Sequence, residues 1–319
     1  MLNKSPQFLE GPNRASTFRD NTQLSSYKDC PRKFQIRHLF HWRPSGTAAP
    51  LVFGSSWHAA MDTVWQHGRD HNKVDLRQYA TLTFMEKWEE EGFPVDMDIA
   101  DIERLGARTP GVASEMLSSY IEQRWNMIQG CELIACEHPF AVPLPSIPDT
   151  WYVGRLDKVL KYNGQTLIIE HKTTTEYKID GGFKTSYLEG WDSDSQVKGY
   201  EFAGSLYFGV DQVWVDACLV HKKVHDKFRF IPVAHQRPLM MEWVENTKEW
   251  VTRVNRDIER GWFPKNENSC VGKYGPCPYL DICRTIPDPE MLTEPPERFV
   301  VEEWKPFETL GLASLIKGD

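Results

Sequence analysis

The stretch that most limits how this chain can fold is LDKVLKYNGQTLIIEHK, residues 156–172. Its centre, Asn163-Gly164, suits a two-residue type I′ turn, which needs positive φ at both positions; Asn and Gly tolerate that. The flanks, Trp151 to Tyr162 and Gln165 to Lys172, are rich in Val, Leu, Ile and Tyr, as strands are. A hairpin of this kind sets its own register. Tyr162 faces Gln165, and counting back along both strands Asp157 faces Glu170. Lys172 follows two residues along the same face, with Arg155 opposite it.

Two carboxylates opposed across a ladder repel by roughly 0.2–1 kcal/mol, and by more where the site is partly dry. The pattern therefore asks for a cation between Asp157 and Glu170. The alternatives are a register slipped by one residue, or Arg155 and Lys172 neutralising an exposed polar face.

At 319 residues the chain can bury a full core, in one large domain or two modest ones. Its N-terminus has no apolar signal-like run and no stretch approaches a membrane span, so the expected location is the cytoplasm. The net charge of −8 argues against a uniformly basic nucleic-acid coat. Residues 86–103 carry a local −7, read as a solvated acidic segment. Lys28, Arg32, Lys33, Arg37 and Arg43 against Asp29 make a +4 island with Phe34, Phe40 and Trp42 interleaved. Lys222, Lys223, Lys227 and Arg229 against Asp226 make a second, of +3. Such islands can follow a phosphate backbone while aromatics stack on bases, or they can be ordinary solvated faces.

Seven cysteines without a secretory signal do not suggest a disulfide framework. Cys131, Cys136 and Cys218 lie in apolar, strand-like runs and read as small buried hydrophobes. Cys270, Cys277 and Cys283 crowd into NSCVGKYGPCPYLDIC, and three thiols within fourteen residues want a metal.

Along the chain, residues 1–20 read as a loose arm. A helix is expected over TQLSSYKDCPRKFQIRHLF, with Thr22 as N-cap and Leu24, Tyr27 and Phe34 on its apolar side, and another over GSSWHAAMDTVWQHG, capped by Ser55 or Ser56 and burying Trp57, Met61, Val64 and Trp65. Helical pattern continues to about Trp125, broken at Gly92, Pro94 and Gly106. Strands are expected at 133–142, 151–172, 212–220 and 228–234, with a helix over SDSQVKGYEFAGSLYFG between them. A long amphipathic helix from Met240 to Arg260 buries Trp243, Val244, Trp250, Val251, Val254 and Ile258, and stops at Gly261. The Pro-rich tail beyond Cys283 reads as extended. The order implies an α/β or α+β layered fold with a helical insertion.

GRLDKVLKYNGQTLIIEHK resembles motifs II and III of the PD-(D/E)XK nuclease superfamily, with Asp157 as the first acid and Glu170-His171-Lys172 as the E-x-K. GSSWH, Gly54 to His58, resembles the G-x-x-x-H of the RecB-type branch, and QVKGY, Gln196 to Tyr200, its Q-x-x-x-Y. All three occur in that branch's order. The resemblance implies a restriction-endonuclease-like core, a central mixed sheet flanked by helices. It further implies a single nuclease domain over 21–285, with an insertion at about 66–125, a cysteine loop at 262–285 joined to Cys30, and a tail over 286–319. By the same resemblance His58, Asp157, Glu170 and the backbone carbonyl of His171 ligate Mg²⁺ or Mn²⁺. Lys172 is the catalytic lysine, and Gln196 and Tyr200 organise it and the DNA.

YKDCPRKF together with the three late cysteines resembles the iron–sulfur members of that branch, AddB-like and CRISPR-associated RecB-like nucleases. There Cys30, Cys270, Cys277 and Cys283 correspond to the ligands of a 4Fe-4S cluster. Six residues separate Cys270 from Cys277 where two are usual, which keeps a structural Zn²⁺ as the alternative. The implied activity is metal-dependent hydrolysis of DNA, an exonuclease acting on linear ends in processing or recombination. The alternative is a catalytically silent nucleic-acid-binding module or partner subunit. DNA is the implied partner, with a helicase or recombinase beside it, and neither a membrane nor a small-molecule substrate is expected. A phage or mobile-element origin follows from the resemblance alone.

Overall fold

A computed structural model of the chain describes residues 11–178, 181–222, 227–272 and 275–316. Residues 1–10 of the expected arm, and Lys223 and Asp226 of the second basic island, lie outside the described residues. In chain order the principal elements are β1 (Thr17–Arg19), α1 (Asn21–Asp29), α2 (Ala49–His67), α3 (Lys73–Glu90), α4 (Pro110–Gly130), β2 (Glu132–Pro143), β3 (Thr150–Tyr162), β4 (Gln165–Thr174), α5 (Ser195–Tyr207), β5 (Gln212–Leu219), β6 (Phe228–Val233) and α6 (Arg237–Arg260). The strands form a six-stranded mixed sheet in the order β1-β3-β4-β5-β6, with β2 also on β3. β3–β4 and β5–β6 are antiparallel, and β4–β5 is parallel. The fold is α/β, a mixed central sheet flanked by helices.

By internal contact the chain divides into two compact units. The first comprises residues 47–138 and 156–235. The second comprises, within the described residues, 11–46, 139–155 and 236–316.

In the first unit the hairpin has the expected register: Tyr162 opposes Gln165 and Lys158 opposes Ile169, with Asn163 at φ 49° and Gly164 at φ 81°. Side chains alternate across the sheet. Leu160, Leu167, Ile169 and Cys218 share one core with Trp57, Met61, Val64 and Tyr120, so α2, α3 and α4 cover that face. On the other face α5 packs so closely that a Cβ on Gly204 would lie 2.5 Å from Ile168 Cδ1 and 2.9 Å from Val210 Cγ2. Gly204→Ala is therefore expected to destabilise the protein by about 1–3 kcal/mol through overpacking. An unchanged urea midpoint would mean that Ile168 and Val210 move aside freely.

Helix α2 begins at Ala49, with Pro50 in its first turn, and not at the expected Ser55 or Ser56. Proline is preorganised for a first helical turn. Ser55 lies inside the helix and turns its hydroxyl back to the Val52 carbonyl at 3.0 Å. The acidic residues Glu86, Glu89, Glu90, Asp96, Asp98 and Glu103 are exposed, as a solvated segment requires.

In the second unit the arm is not loose throughout. β1 pairs in parallel with residues 150–152 of β3, and Phe18 is buried with Trp151 and Leu312. Asp20, not Thr22, caps α1, its carboxylate accepting the Gln23 N–H at 2.7 Å. The helix breaks at Cys30 because Pro31 has no N–H to continue it. α6 buries Trp243, Val244, Val251 and Val254, while Ile258, expected on the apolar side, is exposed. The expected tail adds a short strand, Phe299–Val301, antiparallel to Trp42–Pro44.

The first basic island is largely spent on the fold. Arg32 is buried and donates to the Phe263 and Pro287 carbonyls, Lys33 pairs with Asp29, and Arg43 pairs with Glu302. Phe34 and Trp42 are core residues. Charge counting along the chain could not see these partners. Among the described residues no helix is long and apolar enough to cross a membrane.

Candidate active site

The site lies in the first unit, on β3, β4, α2 and α5. Strand β4 reads LIIEHK, and its alternation sends Ile168, Glu170 and Lys172 to one face and Ile169 and His171 to the other. Glu170 and Asp157 are both buried. Asp157 Oδ2 accepts the backbone N–H of His171 at 3.0 Å, so one strand's acid is gripped by the other strand's backbone. From α2, His58 brings Nδ1 to 3.2 Å from the same oxygen.

Lys172 Nζ lies 2.5 Å from Glu170 Oε1 and donates to Gln196 Oε1 at 3.0 Å. Gln196 Nε2 in turn donates to the Tyr200 hydroxyl at 2.7 Å. Gln196 and Tyr200 are one helical turn apart on α5, which Asp194 caps by accepting the Gln196 and Val197 N–H groups. The six expected catalytic side chains thus fall into two bonded sets, His58 with Asp157 and Glu170 with Lys172, Gln196 and Tyr200, which meet at the His171 backbone. The His171 ring points to the opposite face, leaving only its backbone toward Asp157.

The two acids differ electrostatically. Burial, and then the charge of Asp157, push Glu170 up to about 7. Burial also opposes ionisation of Asp157, but the charge and hydrogen bond of His58 outweigh it and hold Asp157 well below the usual carboxylate range. His58 loses by burial and gains more from Asp157 and Glu170, so its pKa is raised. Lys172 is raised likewise by Glu170 and Asp157, against burial. Two close carboxylates that resist joint ionisation form a site that a cation would relieve.

A residue the sequence reading missed joins this group. His58, Glu137 and Asp157 each offer a ligand atom, and these atoms lie within 4.8 Å of one another. Glu137 is in β2 at φ 50°, a left-handed conformation uncommon outside glycine, held by its surroundings. Its signal in the sequence was a lone acid within the apolar run LIACEHPF; the backbone twist that aims it was invisible. Glu170 stands outside this trio, paired to Lys172 through Oε1, while its buried Oε2 has no hydrogen-bond partner among the described residues. Carboxylate oxygens with one imidazole suit Mg²⁺ or Mn²⁺, so the residues present fit such an ion. Glu137→Gln is expected to weaken Mn²⁺ binding at least roughly tenfold, as read by calorimetric titration. Wild-type affinity in that variant would remove Glu137 from the site.

The four remaining candidate cysteines lie in the second unit, all half-buried and none in a disulfide. The Asn266 N–H points to Cys30 Sγ at 3.4 Å, and Asn266 and Ser269 side chains both bond the Asp29 carbonyl, at 2.7 and 2.8 Å. The Cys277 N–H donates to the Cys270 carbonyl at 2.8 Å. Burial pushes the Cys277 and Cys283 thiols up, and Cys30 acts on both, with Cys270 acting on Cys277. Lys33 acts in the opposite sense on Cys277, and Lys265 and Arg32 on Cys283. Residues far apart in sequence are thus drawn into one thiol-rich corner.

The sequence profile of the PD-(D/E)XK nuclease superfamily matches residues 21–284. No curated protein sequence matches the chain. Among solved structures, one from Eubacterium rectale, described as a candidate exonuclease, is similar at 13% identity and TM-score 0.50, over 88% of this chain and 90% of that one. An alkaline exonuclease from Laribacter hongkongensis is similar at 12% identity and TM-score 0.29, over 66% of this chain and 94% of that one. That exonuclease has also been solved in complex with dAMP.

Proposed function

The chain belongs to the PD-(D/E)XK nuclease superfamily, and from that premise we propose that it is a divalent-metal-dependent deoxyribonuclease that hydrolyses phosphodiester bonds from the ends of linear DNA. The observation that carries this reading is the convergence of two bonded sets, His58 with Asp157 and Glu170 with Lys172, Gln196 and Tyr200, joined where the His171 N–H, next in the chain to Glu170, bonds Asp157. His58, Glu137, Asp157, Glu170 and the His171 carbonyl would hold Mg²⁺ or Mn²⁺. When bound, such an ion polarises a phosphate and lowers the pKa of a coordinated water.

The chain's own residues do the rest. Asp157 is favoured as a carboxylate and oriented by His58 and by the His171 N–H, which hold it facing the site. Lys172 carries the positive charge on the face where negative charge develops in phosphoryl transfer, and Gln196, steadied by Tyr200, keeps its ammonium from swinging into solvent.

Cys30, Cys270, Cys277 and Cys283 are assigned to a 4Fe-4S cluster, with structural zinc as the alternative, because four thiolates are the ligand set that each requires.

The test is degradation of end-labelled linear single- and double-stranded DNA by anaerobically purified protein with Mg²⁺, Mn²⁺ or EDTA. Loss of label that requires the metal supports the reading, and circular DNA left intact supports end-directed action. Folded, cluster-loaded protein that cleaves nothing would overturn it in favour of a binding module.

A further inference from the structure

Behind the face that carries Glu170 and Lys172, the first unit buries a second polar constellation that the catalytic reading does not use. Asp216 on β5 is fully buried and sits opposite His171 in the parallel β4–β5 register. Its Oδ2 accepts the Tyr120 hydroxyl at 2.6 Å and lies 3.1 Å from His171 Nδ1, while Oδ1 accepts Arg124 Nη2 at 3.3 Å. The Trp65 indole N–H donates to the Tyr120 oxygen at 3.1 Å, and the Arg124 guanidinium lies 3.7 Å from the Phe230 ring centroid. Two strands and α4 meet on one carboxylate, and α2 joins them through the Trp65–Tyr120 bond.

A buried carboxylate with its counter-charges is not a device that stability alone calls for, because well-packed apolar groups in its place are often neutral or stabilising. What Asp216 holds is specific. It anchors the ring of His171, whose own N–H grips Asp157 on the front of the sheet and whose chain neighbours are Glu170 and Lys172. The same ring meets the His58 ring edge-on, centroids 6.1 Å apart at 89°. A small rotation of β4 about its axis would move Glu170, the His171 N–H and the support of His58 together. A Mg²⁺ site tolerates such shifts poorly, since Mg²⁺ demands a near-ideal octahedron at about 2.0–2.1 Å, and loss of a ligand's support lowers affinity for either ion.

We propose that Asp216, with Tyr120 and Arg124, is a positioning group that sets the rotation of β4 and thereby the geometry of the divalent-metal site on the opposite sheet face. This rests on the nuclease reading only in taking that site to be a metal site. Asp216 touches neither metal nor substrate; it acts through His171.

The experiment compares Asp216→Asn with wild type by calorimetric titration of Mn²⁺ and, separately, by urea denaturation. The carboxamide keeps the volume but presents one acceptor in place of two. The expected result is a Mn²⁺ Kd raised about ten- to a hundredfold, as for lost supports of metal ligands elsewhere, with a smaller rise in the same direction for Tyr120→Phe. Tyr27→Phe in the second unit removes a buried tyrosine–aspartate bond of 2.6 Å to Asp257 and serves as the calibrant, losing stability without a change in Kd. Asp216→Asn that is destabilised yet binds Mn²⁺ like wild type overturns the proposal and makes the network structural. Should Asp216→Asn fail to fold, wild-type Kd in both Tyr120→Phe and Arg124→Gln overturns it equally. Wild-type protein that binds Mn²⁺ but cleaves no DNA removes the nuclease reading and leaves this one to be judged by the Kd ratio. Wild-type protein that binds no Mn²⁺ removes this one, whatever the cleavage assay shows.

Discussion

Replacing Lys172 by alanine is expected to slow DNA cleavage by about a hundred- to a thousandfold, the usual cost of removing one preorganised group that stabilises developing charge. Binding of the same DNA in EDTA, followed by fluorescence anisotropy, should stay within a few-fold of wild type, because one phosphate contact among many is a small part of the electrostatic total. The variant should also fold. Removing Lys172 leaves Glu170 buried without its partner at 2.5 Å, but Glu170 is already pushed up to about 7. Losing a nearby cation raises it further, so the side chain takes a proton and avoids the full cost of an uncompensated buried charge. Unimpaired cleavage would show that the proton and charge traffic runs through some other group. Equal loss of binding and cleavage would make Lys172 a DNA contact instead of a catalytic one.

Cys277→Ala is expected to give poorly soluble protein with neither iron nor zinc above background in elemental analysis. A metal group held by Cys30 and the three late cysteines would close a loop of 239 residues between Cys30 and Cys270. By chain-entropy reasoning such a crosslink contributes on the order of 5 kcal/mol, comparable to the entire net stability of a typical domain. Iron with acid-labile sulfide in wild type would support the cluster, and stoichiometric zinc would support the alternative. Normal solubility and normal metal content in Cys277→Ala would remove this cysteine from any metal site.

The parts of the fold legible in the sequence are those set by neighbours along the chain. The Asn163-Gly164 turn sets its own register, and the stripe Trp57, Met61, Val64 and Trp65 lies buried as its spacing demands. Element boundaries proved less legible, because competing local signals decide them. Pro50 starts α2 before Ser55 can, and Asp20 outcompetes Thr22 as the cap of α1. The basic island misled for a related reason: a cation's freedom depends on which carbonyl or carboxylate the fold brings to it, as Phe263 and Pro287 are brought to Arg32.

The candidate site divides along the same line. Local rules suffice to put Asp157, Glu170 and Lys172 on one face, through strand alternation and a two-residue turn, and the observed hairpin register removes the slipped alternative. Motif order pointed to His58, Gln196 and Tyr200, but only the packing of α2 and α5 on the sheet decides that His58 meets Asp157 and that Gln196 meets Lys172. Glu137 left only a lone acid in an apolar run, and Asp216 left no signal. One is aimed by a left-handed backbone turn within a strand, and the other gains its meaning from a tyrosine and an arginine about ninety residues earlier in the chain. Nearest-neighbour geometry along the chain suffices to place the carboxylate pair and the lysine beside it. What surrounds and steadies that pair comes from distant segments, whose meeting depends on how the core packs.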